Sequence, residues 1–561
     1  MVYYQLMKDV VEDLGRLIVG EVTTNVAARD YFATDGSIFK VTPELVIYPK
    51  SERDVILAVR YLEARAKAGK KINLTARGKG TDQGGGALGD GAMLVMPAHM
   101  KRFVRLGKRT ITVEPGMIYQ QLQGILKSHG RWMPPYPASI DFATIGGAVA
   151  NNSAGEKTIK YGSTRDYVQS LRVVLSNGDV ITTRRLSRKE LKAKKRQDDF
   201  EGHIYRELDK LLIEHKGIVQ TAEPQTSKNS AGYNLWDVKG RGGSFDLSQL
   251  IVGSQGTLGV VTEVSLRTEK FNPDTILQTG FFESVEAMAE AVGKIMPLGP
   301  SALEVVDYHL LKFLRDHHNH IIDGLIPDKL PAVALLVEFD DTKAATRLRK
   351  ANKVAKVFKS LAYESGYATD PEEQAALWKI RRSAAAVIWM YDGPKKALPI
   401  IEDGAVPLKN MPEFLSEIYR VFEKYKIQVA VWGHAGSANF HLQPFLNLSS
   451  LRDRKKVFEI MDEFYKIVIR LDGTTCGEHN DGILRGPYLK KLYGAEVFDL
   501  FRQVKDLFDP YGFLNPGVKT GAEKEDAMVY LRHEYSMKHL HDFFPSLSHE
   551  KPKPVKKEEF L

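Results

Sequence analysis

Apolar and polar positions alternate in short runs through the first half of the chain. "LVIYP" (45–49) reads as a strand. "SERDVILAVRYLEARAKAG" repeats its apolar residues at helical spacing, with Val55, Val59 and Leu62 on one face. Ser51 is placed to cap that helix and Gly69 to stop it. "KINLTARG", "GAMLVMP", "RTITVEPG" and "QSLRVVLSNGDVITT" read as further strands. "RKELKAKKRQDDF" (188–200) is charged and reads as a solvated excursion. "IYRELDKLLIEHKG" is a helix ending at Gly217, and "SQLIVGSQGTLGVVTEVSLRT" returns to strand around a glycine turn.

From about residue 271 the texture changes. "SVEAMAEAVGKIM", "TKAATRLRKANKVAKVFKSLA" and "PEEQAALWKIRRSAAAVIW" carry helical periodicity, and "AVALLVEFD" and "VAVWGH" read as strands. Residues 453–469 form a helix striped by Val457, Met461, Phe464 and Val468. The predicted class is α+β. We expect an N-terminal helical segment over 1–40, a nucleotide-binding domain over 41–270 and a second α+β domain over 271–490. A return segment over 491–520 and an arm or tail over 521–561 complete the chain.

Length supports this division, since 561 residues imply two to four domains. A 43% hydrophobic and 27% charged composition fits a soluble globular protein. The net charge of +9 comes with no nucleic-acid motif, so we expect a lysine-rich solvated surface and no nucleic-acid partner. A single cysteine, Cys476, excludes an internal disulfide and an iron–sulfur cluster held by several cysteines of this chain. Acidic residues break the N-terminal segment before a signal-like apolar core forms, and no run of about 18 apolar residues occurs. The expectation is a cytoplasmic protein, with peripheral attachment to the inner face of a membrane and homodimerisation both left open.

Three glycine-rich stretches carry the first chemistry. "ARGKGTDQGGGALGDG" (76–91) follows a strand. Gly78 and Gly80 allow close backbone approach, successive N–H groups can nest phosphate oxygens, and Thr81 adds a hydroxyl. Its spacing is neither the dinucleotide fingerprint nor a P-loop. "PPYPASIDFATIGGAVANNSAG" (134–155) adds Thr144, Gly146, Gly147, Asn151, Asn152, Ser153 and Gly155. "GSQGTLGVVTEV" (253–264) adds Gly256, Thr257 and Gly259. Each alone reads as a turn, but together they can pinch an extended dinucleotide from several sides.

Two histidine stretches follow. In "GHAGSANFH" (433–441), a turn about Gly436–Ser437 that doubles back at 437–438 sets His434 opposite His441. Cross-strand neighbours lie about 5 Å apart, within reach of a shared metal. Glu478, in "GEHNDG", would add a carboxylate, leaving coordination positions open for substrate. The alternative is that these histidines only contact cofactor or substrate.

These motifs resemble the vanillyl-alcohol-oxidase (PCMH) type of FAD oxidoreductases, over roughly residues 25 to 520. The nearest resemblance is to the D-lactate dehydrogenase, glycolate oxidase D-subunit and D-2-hydroxyglutarate dehydrogenase group. It implies an FAD-binding domain of two α+β subdomains and an α+β substrate, or cap, domain. Arg77, Lys79, Asp82 and Gln83 would join the first loop in holding pyrophosphate. Pro137, Ser139, Val260 and Asn515 would complete the flavin site. Gln255 stands where the family often has glutamate, and no histidine matches a covalent flavin link, so noncovalent FAD is expected.

The resemblance makes His434, His441 and Glu478 ligands of a divalent ion (zinc, manganese or iron) and His479 the base. A hydride would pass from the α-carbon of a D-2-hydroxy acid to flavin N5. A histidine's ordinary pKa of about 6.5 suits that base. Arg381 would clamp the anionic substrate's carboxylate, Asn439 would bond substrate or ligand, and Arg485 would face flavin or substrate. Electrons would leave to quinone, a cytochrome, an electron-transfer flavoprotein or a separate iron–sulfur subunit. An oxygen-using oxidase, an alkyl-dihydroxyacetonephosphate-synthase-like enzyme and a flavin subunit of a larger redox complex are the alternatives. Ser437–Ala438 departs from an acidic–glycine pair common in relatives.

Overall fold

The computed structural model describes residues 2–387 and 393–536. Residues 537–561, most of the expected arm or tail, lie outside the described residues, as does the end of the helix expected through "AVIW".

Leu45–Tyr48, Leu74–Arg77 and Ala92–Val95 form a parallel ladder, with both outer strands pairing to Ala92–Val95. Their near-continuous apolar character reflects burial on both faces. The N-terminal segment is more than helical: Glu21–Thr23 adds an antiparallel edge strand. Ser51 caps the helix Glu52–Lys67 by accepting from Asp54 N at 3.4 Å. Val55, Val59 and Leu62 of that helix pack with Val10 and Leu14 of the helix Val2–Leu17.

A five-stranded antiparallel sheet follows, ordered Phe103–Leu106, Thr110–Val113, Val260–Arg267, Val168–Val174 and Val180–Thr183. The helix Phe200–Glu214 and the late helix Leu489–Phe508 share its core through Leu208, Leu212, Phe501 and Val504. The chain thus returns to the first half of the molecule after residue 490. The charged excursion is solvated as expected, and part of it, Arg188–Lys194, is a helix with no buried residue. Ser187 and Glu190 close a reciprocal capping box at its start.

The second α+β half is a seven-stranded antiparallel sheet. In order its strands are Glu364–Ala368, Ile276–Phe282, Val333–Phe339, Ala302–Asp307, Val429–His434, Asn439–Leu446 and Lys396–Ala397. Alternation divides its faces. Leu303 and Val305 meet the helices Val285–Ile295, Met411–Tyr425 and Leu451–Arg470, while Ala302, Val306 and Trp432 meet Tyr308–His318 and Pro371–Val387. Glu304 and His434 share the latter face by the same alternation, which brings them to the candidate site.

Asp307 ends its strand and caps the next helix, accepting from Leu310 N at 3.0 Å. Burial pushes its carboxyl up to about 7, although the N–H groups of Leu310 and Val431 and the Tyr419 hydroxyl oppose the shift. Between about pH 4 and 7 the folded chain therefore holds a proton that the unfolded chain has lost, so this group's contribution to stability falls as pH rises. Asp307→Asn is expected to shrink the drop in urea midpoint between pH 5 and pH 8. An unchanged drop would contradict the assignment.

Candidate active site

The glycine stretches and the histidine stretches converge on one cavity of about 1170 Å³. Residues 77–83 form one wall, and Pro137, Ser139, Thr144, Gly146, Gly147, Asn151, Ser153 and Gly155 form another. Gly256 and Gly259 close it from the third stretch.

The close approach needs glycine at two positions in particular. A Cβ on Gly78 would lie 2.5 Å from Thr144 Oγ1. Gly80 has φ +83°, and a Cβ there would enter the Arg77 guanidinium. Thr144 caps the helix Ile145–Asn151, accepting from Gly147 N at 3.1 Å and aiming that helix start at the cavity. Gln83 Oε1 is buried with no hydrogen-bond partner among the described residues. A glycine cradle with an unmet polar atom fits an extended dinucleotide, and FAD fits this wall.

Four expected flavin residues stand behind the wall instead. Asn152 is left-handed (φ 54°) and accepts from Arg165 N. The Thr257 hydroxyl bonds Tyr233 OH and Ser254 O, and Val260 is buried in the sheet. Asn515 donates to Gly86 O and Gln255 O, at 2.9 and 2.8 Å, and accepts from Thr75 Oγ1. It ties the returning segment to two cavity loops.

Gln255 has a use for its amide that glutamate lacks. Its Nε2 donates to Asp82 Oδ2 and Asn151 Oδ1, both at 3.2 Å, and its Oε1 accepts from Gly482 N at 2.9 Å. Gln255→Glu would set a carboxylate against Asp82. We expect roughly tenfold weaker FAD retention, the cost of one lost hydrogen bond and a like-charge contact. Flavin release followed by fluorescence checks it, and unchanged retention would contradict it.

The histidine hairpin differs from expectation in register. A 3-10 turn, Ala435–Ser437, and Ala438 at φ 45° set His434 opposite Asn439 and His441 opposite Trp432. The two imidazoles therefore meet diagonally, Nε2 to Nε2 at 3.4 Å. Glu478 Oε1 lies 3.0 Å from His434 Nε2 and 3.3 Å from His441 Nε2. All three side chains are buried, and their ligand atoms lie close enough together to hold one ion. Two imidazole nitrogens and a carboxylate oxygen, open to the cavity, are a donor set suited to zinc or manganese.

The surrounding groups orient these atoms. Glu304 Oε1 is 2.8 Å from His434 Nδ1, and Arg381 holds Glu304 Oε2 through Nε and Nη2 at 2.9 Å. Arg381 lines the cavity, but its first partner is this protein carboxylate. The Glu402 carbonyl is 2.5 Å from His441 Nδ1, and burial lowers the His441 pKa. The Glu402 carboxylate bonds His479 Nδ1 and pairs with Arg485; neither Glu402 nor Arg485 is exposed to solvent. Arg485 also donates to Asn480 O at 2.7 Å and does not line the cavity. His479 does line it, its side chain 28% exposed, its ring stacked on His441 at 4.9 Å, with its backbone N–H donating to Asp403 Oδ2 at 2.7 Å. Asn439 stands behind the cavity and donates to Asp403 and Gly404 O.

Nothing in the sequence singles out Lys228. Its Nζ is 2.7 Å from Glu478 Oε2 and 3.4 Å from Asn439 Oδ1, with the side chain 1% exposed. Burial opposes ionisation of Glu478, yet the Lys228 ammonium and His434 hold its carboxyl well below the usual range. Oε2 is thus committed to lysine, and Oε1 faces both imidazoles.

Residues 276–518 match the C-terminal domain of FAD linked oxidases, and residues 43–184 match the FAD binding domain. The chain is 27% identical over 525 residues to D-2-hydroxyglutarate dehydrogenase of Pantoea ananatis, covering 91% of this chain and 51% of that protein. It thus spans about half the length of that relative. It is 29% identical over 487 residues to glycolate oxidase subunit GlcD of Bacillus subtilis, covering 85% of this chain and 89% of that protein. Against the mitochondrial D-lactate dehydrogenase [cytochrome] of Arabidopsis thaliana it is 26% identical over 522 residues, covering 92% and 80%. Among solved structures, 4-ethylphenol oxidase from Gulosibacter chungangensis shares the fold with a TM-score of 0.67 at 16% identity, over 93% of this chain and 98% of that one. FAD is therefore the cofactor that these matches imply, and the glycine-walled cavity fits it. The chain belongs to the vanillyl-alcohol-oxidase/PCMH-type FAD oxidoreductases and is related to the D-2-hydroxyglutarate dehydrogenases, D-lactate dehydrogenases and glycolate oxidases.

Proposed function

We propose that the protein oxidises a D-2-hydroxy acid to the 2-oxo acid and passes the electrons to an external acceptor. The observation that carries this reading is the His434–His441–Glu478 cluster, with His479 beside it, on the same cavity as the glycine cradle.

Residues 77–83 and the Thr144–Gly147 turn would hold FAD noncovalently, and the flavin would supply the acceptor for the two electrons leaving the substrate carbon. A divalent ion on His434 Nε2, His441 Nε2 and Glu478 Oε1 would supply a Lewis acid for the substrate hydroxyl and carboxylate. The chain's own residues handle the proton and the geometry. Glu402 beside His479 Nδ1 favours the tautomer with its hydrogen there, which leaves the Nε2 lone pair to take the hydroxyl proton. Arg381 acts through Glu304, fixing His434 with Nε2 toward Glu478. The buried aromatic rings of Trp378 and Trp432 line the cavity near these groups and limit water there.

The test is 2-oxo acid formation from a panel of D- and L-2-hydroxy acids with an artificial acceptor. Turnover of at least one D-acid, with its L-isomer slower by about a hundredfold, is expected. Inactivity toward every D-acid, with FAD fully loaded, would sink the reading.

A further inference from the structure

Strand Phe103–Leu106 is the outer edge of the five-stranded sheet, and its hairpin continues into Thr110–Val113. No acidic residue occurs from Gly91 to Val113, whereas Lys101, Arg102, Arg105, Lys108 and Arg109 do. All five cations are exposed. Arg102 pairs with Glu114 at 2.7 Å; among the described residues the other four have no carboxylate within ion-pair distance. In their midst Phe103 is 44% and Val104 46% exposed. The register slips between Phe103 and Arg105, a bulge that breaks the alternation by which one of the two apolar side chains would turn inward.

A charged edge strand keeps a sheet from pairing with another chain, and that accounts for lysines and arginines. It does not account for an apolar pair at their centre. Cations around an exposed aromatic and aliphatic pair match a surface with anionic headgroups over an apolar layer. We propose that the 101–109 hairpin docks the protein on an anionic lipid bilayer, its cations against the headgroups and Phe103 and Val104 in the interface. Nucleic-acid phosphates would attract the same cations but offer less to Val104. The proposal does not depend on which substrate is oxidised.

The test is co-sedimentation of the FAD-loaded protein with phosphatidylcholine vesicles, with and without phosphatidylserine. We expect binding only when phosphatidylserine is present, weakening as salt is raised. Joint replacement of Lys101, Arg105, Lys108 and Arg109 by Gln should cut partitioning at least about a hundredfold. Phe103→Ser should cut it roughly tenfold. Both variants should keep the bound-flavin spectrum of the parent, which shows that they are folded. Absence of vesicle binding, vesicle binding unmoved by either variant, or binding to duplex DNA in place of vesicles would each overturn the proposal.

Discussion

Replacing Glu478 with alanine is expected to lower stability by about 3–5 kcal/mol and to abolish tight binding of a divalent ion. The stability loss comes from Lys228. Its ammonium is buried against Glu478 Oε2, and among the described residues truncation leaves that charge with only Asn439 Oδ1 at 3.4 Å. An uncompensated buried charge costs far more than the net worth of the pair that held it. The ion-binding loss comes from Oε1, which faces both His434 and His441. Losing even an outer partner of a metal ligand costs about 10–100-fold in affinity, so removing an inner one should cost more than about a hundredfold. Glu478→Gln keeps the volume and one oxygen, so it should recover part of the stability and little of the affinity. Urea unfolding and equilibrium dialysis against zinc separate the two effects. Wild-type stability in the alanine variant, or wild-type zinc affinity in either, would contradict this assignment.

Arg485→Met is expected to be comparably damaging, by about 3–5 kcal/mol, although Arg485 does not line the cavity. Arg485 and Glu402 are a pair without solvent exposure. Burial lowers the arginine pKa to about 10, which keeps it charged at neutral pH. Without the guanidinium, Glu402 is left as a buried anion facing His479 and His441. Removing both charges together relieves this. The Glu402→Gln/Arg485→Met double variant should therefore be more stable than the sum of the single losses by at least about 1 kcal/mol. It should still oxidise substrate slowly, because a neutral amide in place of the Glu402 carboxylate would no longer fix the His479 tautomer. Additive losses in unfolding would show that the two groups are not coupled.

What could be read from the chain follows from the range of the interactions. The glycine wall was legible because close backbone approach demands glycine locally, as at Gly78 and Gly80. The histidine pair was legible for the same reason: seven residues bridge one turn. Its register was not, because a four-residue turn ending in a left-handed alanine carries no sequence signal as sharp as an Asn-Gly hairpin. The helix at Arg188–Lys194 was announced by Ser187 and Glu190, and the surrounding charge obscured it. The pairings behind the two histidines could not be read, although Arg381, Asn439 and Arg485 were placed near the site. Lys228 meets Glu478 across 250 residues, and Arg381 meets Glu304 across 77. Such partners are fixed by sheet order and helix packing, and nothing in "TSKNSAG" marks its lysine as buried.

We propose that one cavity joins an FAD cradle to a metal-dependent hydroxy-acid site. This is tested most directly by rapid anaerobic mixing of the FAD-loaded protein with a D-2-hydroxy acid before metal removal, after it, and after zinc or manganese is returned. Fast bleaching of the flavin is expected, with a fall of at least about a hundredfold on stripping and recovery in proportion to the ion restored. Bleaching at the same rate after thorough removal of metal, or none with any D-acid while FAD stays bound, would contradict it.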